Sequence, residues 1–315
     1  MTLSIITSLY RSENHLPQYI EHVQRVFRQI TYEVELIIIA NEATSTEQDL
    51  LQQLSQAAGL NVQIIYTPRE TLYHSWNRGI AASSGSVIGF WNVDDTRTAE
   101  GLTAAHEVIS AGVDLVDMAY ERVEGNQRKL IPAPYQRESV SPKTGVSPFF
   151  MFHRKLVDQA GAFNPHFQIA GDYEWSKREA VRKARYRALD VLSGQFVLHT
   201  HNLSGGRNRL EWVEFNTVLL WLGDCEHLRP VDPVLMRENW ETWGQQGHVR
   251  IPDEIEEWLW GAGSRERFQR YTRERNAHPF LRRLRLSLAR RGIIKSAEFD
   301  AHQRWKGNSH EAHNS

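Results

Sequence analysis

Short apolar runs alternate with stretches of helical periodicity through the first 120 residues, and this alternation constrains the fold more than any other feature. Leu36–Ile39 is apolar at every position, which is typical of a parallel strand covered on both faces. Strand–helix alternation of this kind predicts an α/β fold with right-handed βαβ units, a doubly wound, mostly parallel sheet and helices on both faces. We expect strands at 3–9, 36–39, 62–66, 86–91 and 114–119, and helices at 16–30, 45–58, 72–82 and 98–109.

The pattern loosens after residue 120, where prolines at 132, 134, 142 and 148 mark loops or edge strands. Order resumes with a helix that ends near Gly161 and a second helix expected over 172–184. Residues 212–260 hold six of the ten tryptophans in sequence of helical character. We therefore predict a helical, Trp-rich extension over 209–277 and a basic amphipathic tail over 278–315.

Charge is distributed unevenly along the chain, although the net charge is only -1. Between Ser264 and Lys306 there are 13 Lys and Arg against 4 Asp and Glu, so that segment is near +9 and the remainder near -10. Such a segment favours either a solvated helix or an anionic partner. The sequence shows no secretory signal or membrane-spanning run, and Cys225 is its single cysteine, so we expect a cytoplasmic protein.

The basic tail contains an apolar stripe. Leu281, Leu284 and Leu288 fall on one face of the expected helix, with most of the arginines off it. Two interpretations stay open. An Arg-rich amphipathic helix is typical of the surface of an anionic membrane, and ordinary amphipathic helices pack the same stripe on the protein body. The second is favoured slightly. The first predicts peripheral contact at the inner face of the membrane, and no nucleic-acid partner is expected.

One of the expected strands ends in a group of acids. The apolar run that begins at Ser86 stops at Asn92, Asp94 and Asp95. In open α/β sheets, ligands bind just outside the carboxyl ends of the strands. Two carboxylates there favour a divalent cation, which can bridge the oxygens of a diphosphate. The alternative is a solvated Asp-Asp turn.

Five motifs follow one another in an order and spacing that resembles family 2 glycosyltransferases of the GT-A fold. The resemblance covers roughly residues 3 to 205 and implies a GT-A type sheet. It also implies a nucleotide-sugar-binding half over 1–110 and an acceptor-binding, catalytic half over 111–208. The motifs are Ser4–Thr7 with Tyr10, Glu35–Ile39 with Asn41-Glu42, Tyr73–Ile80 with Ser84-Gly85, Asn92–Asp95, and Gly161–Asn164 followed by Gly171–Trp175.

The resemblance implies roles for residues at the ends of the expected strands. The sugar donor would be bound by Thr7, Leu9, Tyr10, Asn41, Asn77, Asn92 and Asp94, with Arg69 or Arg78 adding a positive contact to the diphosphate. Mg2+ or Mn2+ would be held by Asp94 and Asp95, and a late histidine, His199 or His201, would be a further ligand. Lone histidines are more often surface or structural residues, so that alternative stays open.

The same resemblance places the catalytic base at Asp172, with Glu174 as the second choice. A positioned carboxylate contributes typically 10²–10⁴-fold to a proton transfer. A single base without a covalent step implies inversion at the anomeric carbon. Two residues depart from the family pattern, since Asn92 replaces the usual Asp and Gly171 stands where Glu often precedes the base.

The predicted function is transfer of a sugar from a UDP- or dTDP-linked donor to a hydroxyl of a glycan or lipid-linked acceptor, in cell-surface polysaccharide synthesis. A second hypothesis is a catalytically weak or inactive GT-A-fold protein that binds sugar nucleotides or a partner. A third, a nucleotidyltransferase, requires an early glycine-rich loop, and Thr7–Ser12 has no glycine. Trp91 and Trp175 flank the acids and either stack on a sugar or belong to the core.

Overall fold

The computed structural model describes residues 1–57, 59–134, 145–199, 202–203, 209–222, 231, 233–242, 263–275, 277–297 and 299–300. The chain forms two compact units, Met1–Gly205 and Gly206–Ser315. The division of the first unit at residue 110, and a boundary at 277, stay predictions.

The first half of unit 1 alternates strands and helices as the sequence predicts. Strands β1 to β4 pair in the order β3-β2-β1-β4, and every pairing among them is parallel. Because β4 lies on the opposite side of β1 from β2, the direction of winding reverses between β1 and β4. The elements are β1 Leu3–Leu9, α1 Leu16–Phe27, β2 Val34–Asn41, α2 Ser45–Ser55, β3 Asn61–Thr67, α3 Leu72–Ala82 and β4 Val87–Phe90.

The second half of unit 1 extends the same sheet with strands of both directions. β8 is antiparallel to β4 and β6, whereas the long β6–β9 pairing is parallel, which confirms a mostly parallel sheet. The two-residue strand β5 pairs with β9, and β7 forms a hairpin with β6. The elements are β5 Thr96–Arg97, α4 Ala99–Ser110, β6 Leu115–Glu124, β7 Gln127–Ile131, β8 Met151–His153, α5 Lys155–Ala160, α6 Gly171–Lys177, α7 Glu179–Arg182 and β9 Tyr186–Leu198.

The single helix expected over 172–184 is wrong. The structure has two short helices, α6 and α7, separated at Arg178, whose backbone is extended with ψ 143°. The Arg178 guanidinium donates to the carbonyls of Ala160 and Ala162. These hydrogen bonds hold Arg178 in place where the helix is interrupted. The helical periodicity of the sequence contains no sign of them, so the interruption was not predicted.

The core is apolar on both faces of the parallel strands. Leu36 and Ile38 of β2 are fully buried with Leu16 and Val23 of α1. An aromatic cluster packs where α3, β4 and β8 meet α6. Its rings lie 3.8 to 6.5 Å apart and belong to Trp76, Phe90, Phe150, Phe152, Phe163 and Trp175.

Unit 2 is helical in its described residues, which confirms a C-terminal helical extension. It contains α8 Arg209–Trp221, α9 Pro233–Thr242, α10 Ser264–Arg275 and α11 Pro279–Arg290. The Thr217 hydroxyl of α8 donates to Asn239 Oδ1 of α9 over 2.8 Å. In the part of the chain that the structure describes, no helix is long and apolar enough to cross a membrane.

The favoured interpretation of the basic helix, packing of its leucine stripe on the protein body, is wrong for two of the three leucines. Leu281 and Leu284 of α11 are 55% and 47% exposed, whereas Leu288 is half-buried. The most buried residue of the helix is Ala289, which is 5% exposed and points in another direction. The periodicity of the leucines does not indicate that Ala289 is the residue that becomes buried.

Candidate active site

The ends of four parallel strands bring the predicted donor-binding residues to one edge of the sheet. Tyr10 follows β1, Asn41 ends β2, Arg69 follows β3, and Asp94 follows β4. In doubly wound sheets the ligand crevice lies outside the strand carboxyl ends where the winding reverses. Here that place is between β1 and β4.

Tyr10 is covered by two cations. The guanidinium carbons of Arg69 and Arg11 lie 4.7 and 5.2 Å from the centre of its ring. Arg11 has φ +47°, an uncommon conformation for a residue other than glycine. A positive aromatic surface at the end of β1 suits the negative, planar parts of a nucleotide, and Arg69 lies where a diphosphate contact is predicted.

Three of the predicted donor-binding side chains are directed into the protein. Leu9 is fully buried, and the Thr7 hydroxyl forms a 2.6 Å hydrogen bond with Tyr19. The Asn41 amide donates to the Leu9 carbonyl over 3.1 Å and accepts from the Thr67 hydroxyl over 3.1 Å. Their geometry favours a role in fixing the strand ends. Direct contact with the donor stays a prediction, and for Thr7 and Leu9 it would involve the backbone.

Asn77 and Arg78, both on α3, also have protein partners. Asn77 donates to the Phe163 carbonyl and accepts from the Phe163 N–H, over 2.7 and 2.9 Å. Arg78 forms a two-pronged pair with Glu70 at 3.1 and 2.9 Å. Arg78 would therefore have to break its hydrogen bonds with Glu70 before it could bind a diphosphate.

The acid group after β4 is folded against the end of β9. Asp94 Oδ2 lies 2.9 Å from His199 Nε2 and accepts from the Asn202 amide over 3.2 Å. This contact spans more than a hundred residues because β5 pairs with Gly194 and Gln195 of β9, a few residues before His199. The His199 ring also stacks on His15, with ring centres 5.4 Å apart. His201 lies outside the described residues.

Asp95 differs from Asp94 in having protein donors on both of its oxygens. Its Oδ1 accepts the Val197 N–H over 3.0 Å, and its Oδ2 accepts the Asn92 amide over 3.1 Å. The residue is 7% exposed. Burial, and then the neighbouring Asp94 charge, raise the pKa of the Asp95 carboxyl above its ordinary value. The predicted metal role of Asp95 stays a prediction, as does donor contact by Asn92.

A buried arginine, which the sequence reasoning missed, stabilises this acid group. Arg97 is 2% exposed, donates to the Phe90 carbonyl, and lies over the Phe149 ring at 4.3 Å. Burial lowers the pKa of its guanidinium to about 10, against the opposing influence of Asp95 and Asp117. A buried charge needs partners, and a cation two residues after an acid pair was the signal available in the sequence.

The residues at the end of β4 fit a divalent cation in part. Adjacent ligands of an octahedral Mg2+ lie about 3 Å apart, and Asp94 Oδ2 and His199 Nε2 are separated by 2.9 Å. Among the described residues, no group of three His, Cys, Asp or Glu side chains is disposed around one point. Mg2+ is commonly held by one or two carboxylates and completes its shell with water and phosphate, so Asp94 fits such an ion. An imidazole such as His199 is a ligand for a softer divalent cation than Mg2+.

Asp172 lies in the first turn of α6 and contacts a buried tyrosine. The Tyr73 hydroxyl lies 3.0 Å from Asp172 Oδ1 and 2.6 Å from the Ile169 carbonyl, and the Tyr173 N–H donates to the same Oδ1 over 2.8 Å. Tyr73 is in the first turn of α3, which follows β3, so Asp172 is at the same edge of the sheet as the strand ends. The sequence motif contained Tyr73, but its partner could not be predicted.

The same tyrosine explains the departure at Gly171. A Cβ built on Gly171 would lie 2.6 Å from Tyr73 Cδ2, closer than Cβ atoms approach other atoms. The glutamate common at this place in the family would therefore displace the ring that contacts Asp172. Gly171 and Tyr73 fit each other.

Glu174 is held by a neighbouring arginine. Its two oxygens accept from Arg178 Nε and Nη2 over 2.9 and 2.6 Å, and it is 8% exposed. The pair occupies both oxygens of Glu174, so it would have to open before either oxygen could accept a proton. The geometry favours Asp172 over Glu174 for proton transfer, and both assignments stay predictions.

The two tryptophans that flank the acids belong to the core. Trp91 is 1% exposed and donates to the Asp95 carbonyl over 3.1 Å. Trp175 is fully buried and donates to the Gly161 carbonyl over 3.0 Å. In this structure neither presents a face to a sugar.

A doubly wound sheet with an acid group after β4 and an acid at the start of α6 defines a transferase of the GT-A class. The chain belongs to glycosyl transferase family 2, whose sequence model matches residues 4–171, more than half of its length.

Two similar proteins are glycosyltransferases. An uncharacterised glycosyltransferase of Nostoc sp. is 25% identical over 143 residues, 45% of this chain and 43% of that protein. Glycosyltransferase AglE of Haloferax volcanii is 24% identical over 185 residues, 56% of this chain and 60% of that protein. The chain thus spans about half the length of these relatives.

Solved structures show the same fold. TarS of S. aureus in complex with UDP-GlcNAc superposes with a TM-score of 0.57 at 16% identity, covering 99% of this chain and 92% of that one. A mannosyltransferase of Pyrobaculum calidifontis in complex with GDP-Man and Mn2+ gives 0.53 at 11% identity, covering 96% and 84%. The GT-A fold is therefore confirmed.

Proposed function

We propose that the chain is an inverting, metal-dependent glycosyltransferase. It would move a sugar from a UDP- or dTDP-linked donor to a hydroxyl of a glycan or lipid-linked acceptor, in cell-surface polysaccharide synthesis on the cytoplasmic side of the membrane. The observation that supports it most is the placement of two carboxylates with different neighbours at one edge of the sheet. Asp94 contacts an imidazole and an amide, whereas Asp172 contacts a phenol.

Each carboxylate suits one end of the reaction. Sugar transfer passes through an oxocarbenium-like state, as glycoside hydrolysis does. The bond between the anomeric carbon and the diphosphate oxygen breaks, and a bond from the acceptor oxygen forms on the opposite face. Asp172 accepts the proton of the acceptor hydroxyl, and the nucleoside diphosphate leaves. A divalent cation held by Asp94 and His199 would offset the charge that develops on the diphosphate, an effect worth several kcal/mol.

The choice of donor is supported by residues and by a structural neighbour. Arg69 and Arg11, which lie against the Tyr10 ring at the end of β1, offer positive charge for a nucleotide. TarS was solved with UDP and with UDP-GlcNAc. We extend that base to this chain as part of the proposal.

A second candidate is a GT-A-fold protein that binds sugar nucleotides or a partner without turnover. It is favoured by Asn92, which is uncharged and donates its amide to Asp95. Metal binding would then be weaker than with an acid at that position.

Thermal shift and turnover separate the two candidates. UDP-, dTDP- and GDP-sugars are added to the full chain with Mn2+ or with EDTA, since a ligand specific for the native state raises the melting temperature. Products are analysed by NMR for anomeric configuration. A metal-dependent shift with turnover and inversion supports the first candidate. A shift without turnover towards any glycan or lipid-linked acceptor supports the second, and no shift with any donor contradicts both.

A further inference from the structure

Helix α11 presents large apolar side chains to solvent at its N-terminal end. Phe280, Leu281 and Leu284 are 67%, 55% and 47% exposed. At 3.6 residues per turn they fall within an arc of about 100° on one side of the helix. Ala289, 5% exposed, lies outside that arc and faces the interior. An exposed apolar group of this kind marks an interaction surface.

Leu288, which shares the arc, is half-buried, and exposed apolar side chains occur again past the end of the helix. Gly292 has φ +72°, its N–H donates to the Ala289 carbonyl over 2.9 Å, and the Ile293 N–H donates to the Leu288 carbonyl over 3.0 Å. This is the Schellman ending, in which the residue after the glycine commonly lies against the last turn of the helix. Ile293 is 61% exposed. The apolar surface therefore has a fixed ending.

The residues that follow α11 are hydrogen-bonded to α10. The Ser296 hydroxyl donates to Glu274 of α10 over 2.7 Å, and Arg270 of α10 donates to the Lys295 carbonyl over 2.5 Å. Ser296 and Glu274 are 1% and 5% exposed. These hydrogen bonds hold the end of α11 against α10, so the outward direction of Phe280 and Leu284 belongs to a folded arrangement.

Positive charge surrounds this face. Between Glu274 and Glu298 the sequence has seven Lys and Arg and no Asp or Glu. By helical geometry Arg283 and Arg290 flank the apolar arc on one side and Arg285 on the other. Arg283 and Arg290 are exposed. Apolar side chains between two rows of arginine are typical of a helix that lies in the interface of an anionic membrane.

We propose that α11 and the turn to Ile294 form a docking surface for an anionic lipid membrane. A second copy of this chain fits less well, because two such surfaces would bring their arginines together without a compensating acid. The lipid supplies both complements, phosphate groups for the arginines and acyl chains for Phe280, Leu281 and Leu284. The apolar arc would insert while the arginines stay at the headgroups.

The test is co-flotation of the full chain with phosphatidylcholine vesicles that contain or lack phosphatidylglycerol. We expect binding to the anionic vesicles only, and loss of binding in 1 M salt, where the Debye length falls to about 3 Å. Binding is measured without a sugar donor, so its outcome is independent of the proposed transfer activity.

Two sets of variants locate the surface. Replacement of Arg283, Arg290 and Arg291 by Gln should weaken partition about 100-fold, since each basic residue near such a surface is worth about fivefold. The matched control replaces three exposed arginines of unit 1, Arg28, Arg182 and Arg187, by Gln and should bind as the parent does.

Phe280→Ser with Leu284→Ser should also lose binding, whereas Leu130→Ser, at a residue 64% exposed in β7, should not.

Three results would overturn the assignment. The first is absence of binding to anionic vesicles by a chain with native circular dichroism. The second is equal loss of binding in the control triple variant. The third is a dimer in sedimentation experiments that the Phe280→Ser, Leu284→Ser variant dissociates, which would assign the face to a second copy of the chain.

Discussion

Two regions of unit 1 each offer a pair of carboxylates, and in each the fold uses one acid as a structural group. After β4, Asp95 is buried with donors on both oxygens, while Asp94 is partly exposed beside His199. In α6, Glu174 is held by Arg178, while Asp172 is partly exposed beside Tyr73.

The difference between the two regions lies in the neighbours of the remaining acid. An imidazole and an amide beside Asp94 can share an ion or a phosphate with it. A phenol and a backbone N–H beside Asp172 orient its Oδ1. One motif thus suits charge neutralisation at the leaving group, and the other suits base catalysis at the acceptor.

The largest effect is expected at Asp94. Asp94→Asn should lower transfer by roughly 10³-fold or more, since it removes a charge worth several kcal/mol at the leaving group, and should abolish the metal-dependent part of donor binding. Rates and donor affinity are measured with Mn2+ and with EDTA. Asp49→Asn, at an exposed residue of α2, is the control. Full activity of Asp94→Asn, or of the parent in EDTA, would contradict the role given to this region.

Replacement of the second acid should affect chemistry and leave donor binding intact. Asp172→Asn should reduce kcat about 10²–10³-fold, with the donor affinity in thermal shift unchanged. Asp158→Asn, at an exposed residue of α5, should behave as the parent does.

Glu174→Gln provides the comparison inside the same helix. Breaking a largely buried pair with Arg178 should cost roughly 2–4 kcal/mol of unfolding free energy, which chemical denaturation measures. In the protein that stays folded, the loss of kcat should be smaller than in Asp172→Asn. That loss is measured from rates normalised to the concentration of folded protein. A larger kcat loss than in Asp172→Asn, without destabilisation, would move the base to Glu174.

A smaller effect is expected from the phenol. Tyr73→Phe removes the donor to Asp172 and should lower kcat roughly 10-fold, the value of one hydrogen bond to a charged group. Gly171→Ala should give a similar loss, because its Cβ would meet the Tyr73 ring at 2.6 Å. Tyr186→Phe, which removes a hydroxyl that donates to the Pro134 carbonyl, should leave kcat unchanged. An unaltered kcat in both site variants would show that Asp172 needs no support from Tyr73.

No kinetic effect is expected from replacement of Asp114, a carboxylate whose role is structural. Burial by itself would raise the pKa of Asp114, but hydrogen bonds from Arg185 and Lys155 lower it from 3.8 to about 2. The Asp114 carboxylate binds a proton less tightly in the folded chain than in the unfolded chain. The stabilisation that it gives the fold is therefore present above about pH 4 and is lost as the pH falls towards 2. Asp114→Asn should cost about 1–2 kcal/mol at pH 7, with the difference from the parent disappearing near pH 2 in denaturant titrations.

The sequence by itself determined the elements of the first half of unit 1 and the edge of the sheet at which the site lies. Apolar runs such as Leu36–Ile39 and the periodicity of α3 are local signals, so strand and helix positions follow from a few neighbouring residues. Because parallel strands place their carboxyl ends together, the polar residues after β1 to β4 were expected at one edge, and they are found there.

Only the tertiary structure decided which acid of each pair is buried with protein donors, Asp95 and Glu174, and which stays partly exposed, Asp94 and Asp172. The partners that distinguish them, His199 for Asp94 and Tyr73 for Asp172, are about a hundred residues distant and are brought near by the β5–β9 pairing and by the packing of α6 on α3. The direction of α11 was decided in the same way, since Ala289 is buried while Leu281 and Leu284 face outward. Hydrogen bonds and burial act between atoms close in space, and local sequence patterns contain no record of such distant neighbours.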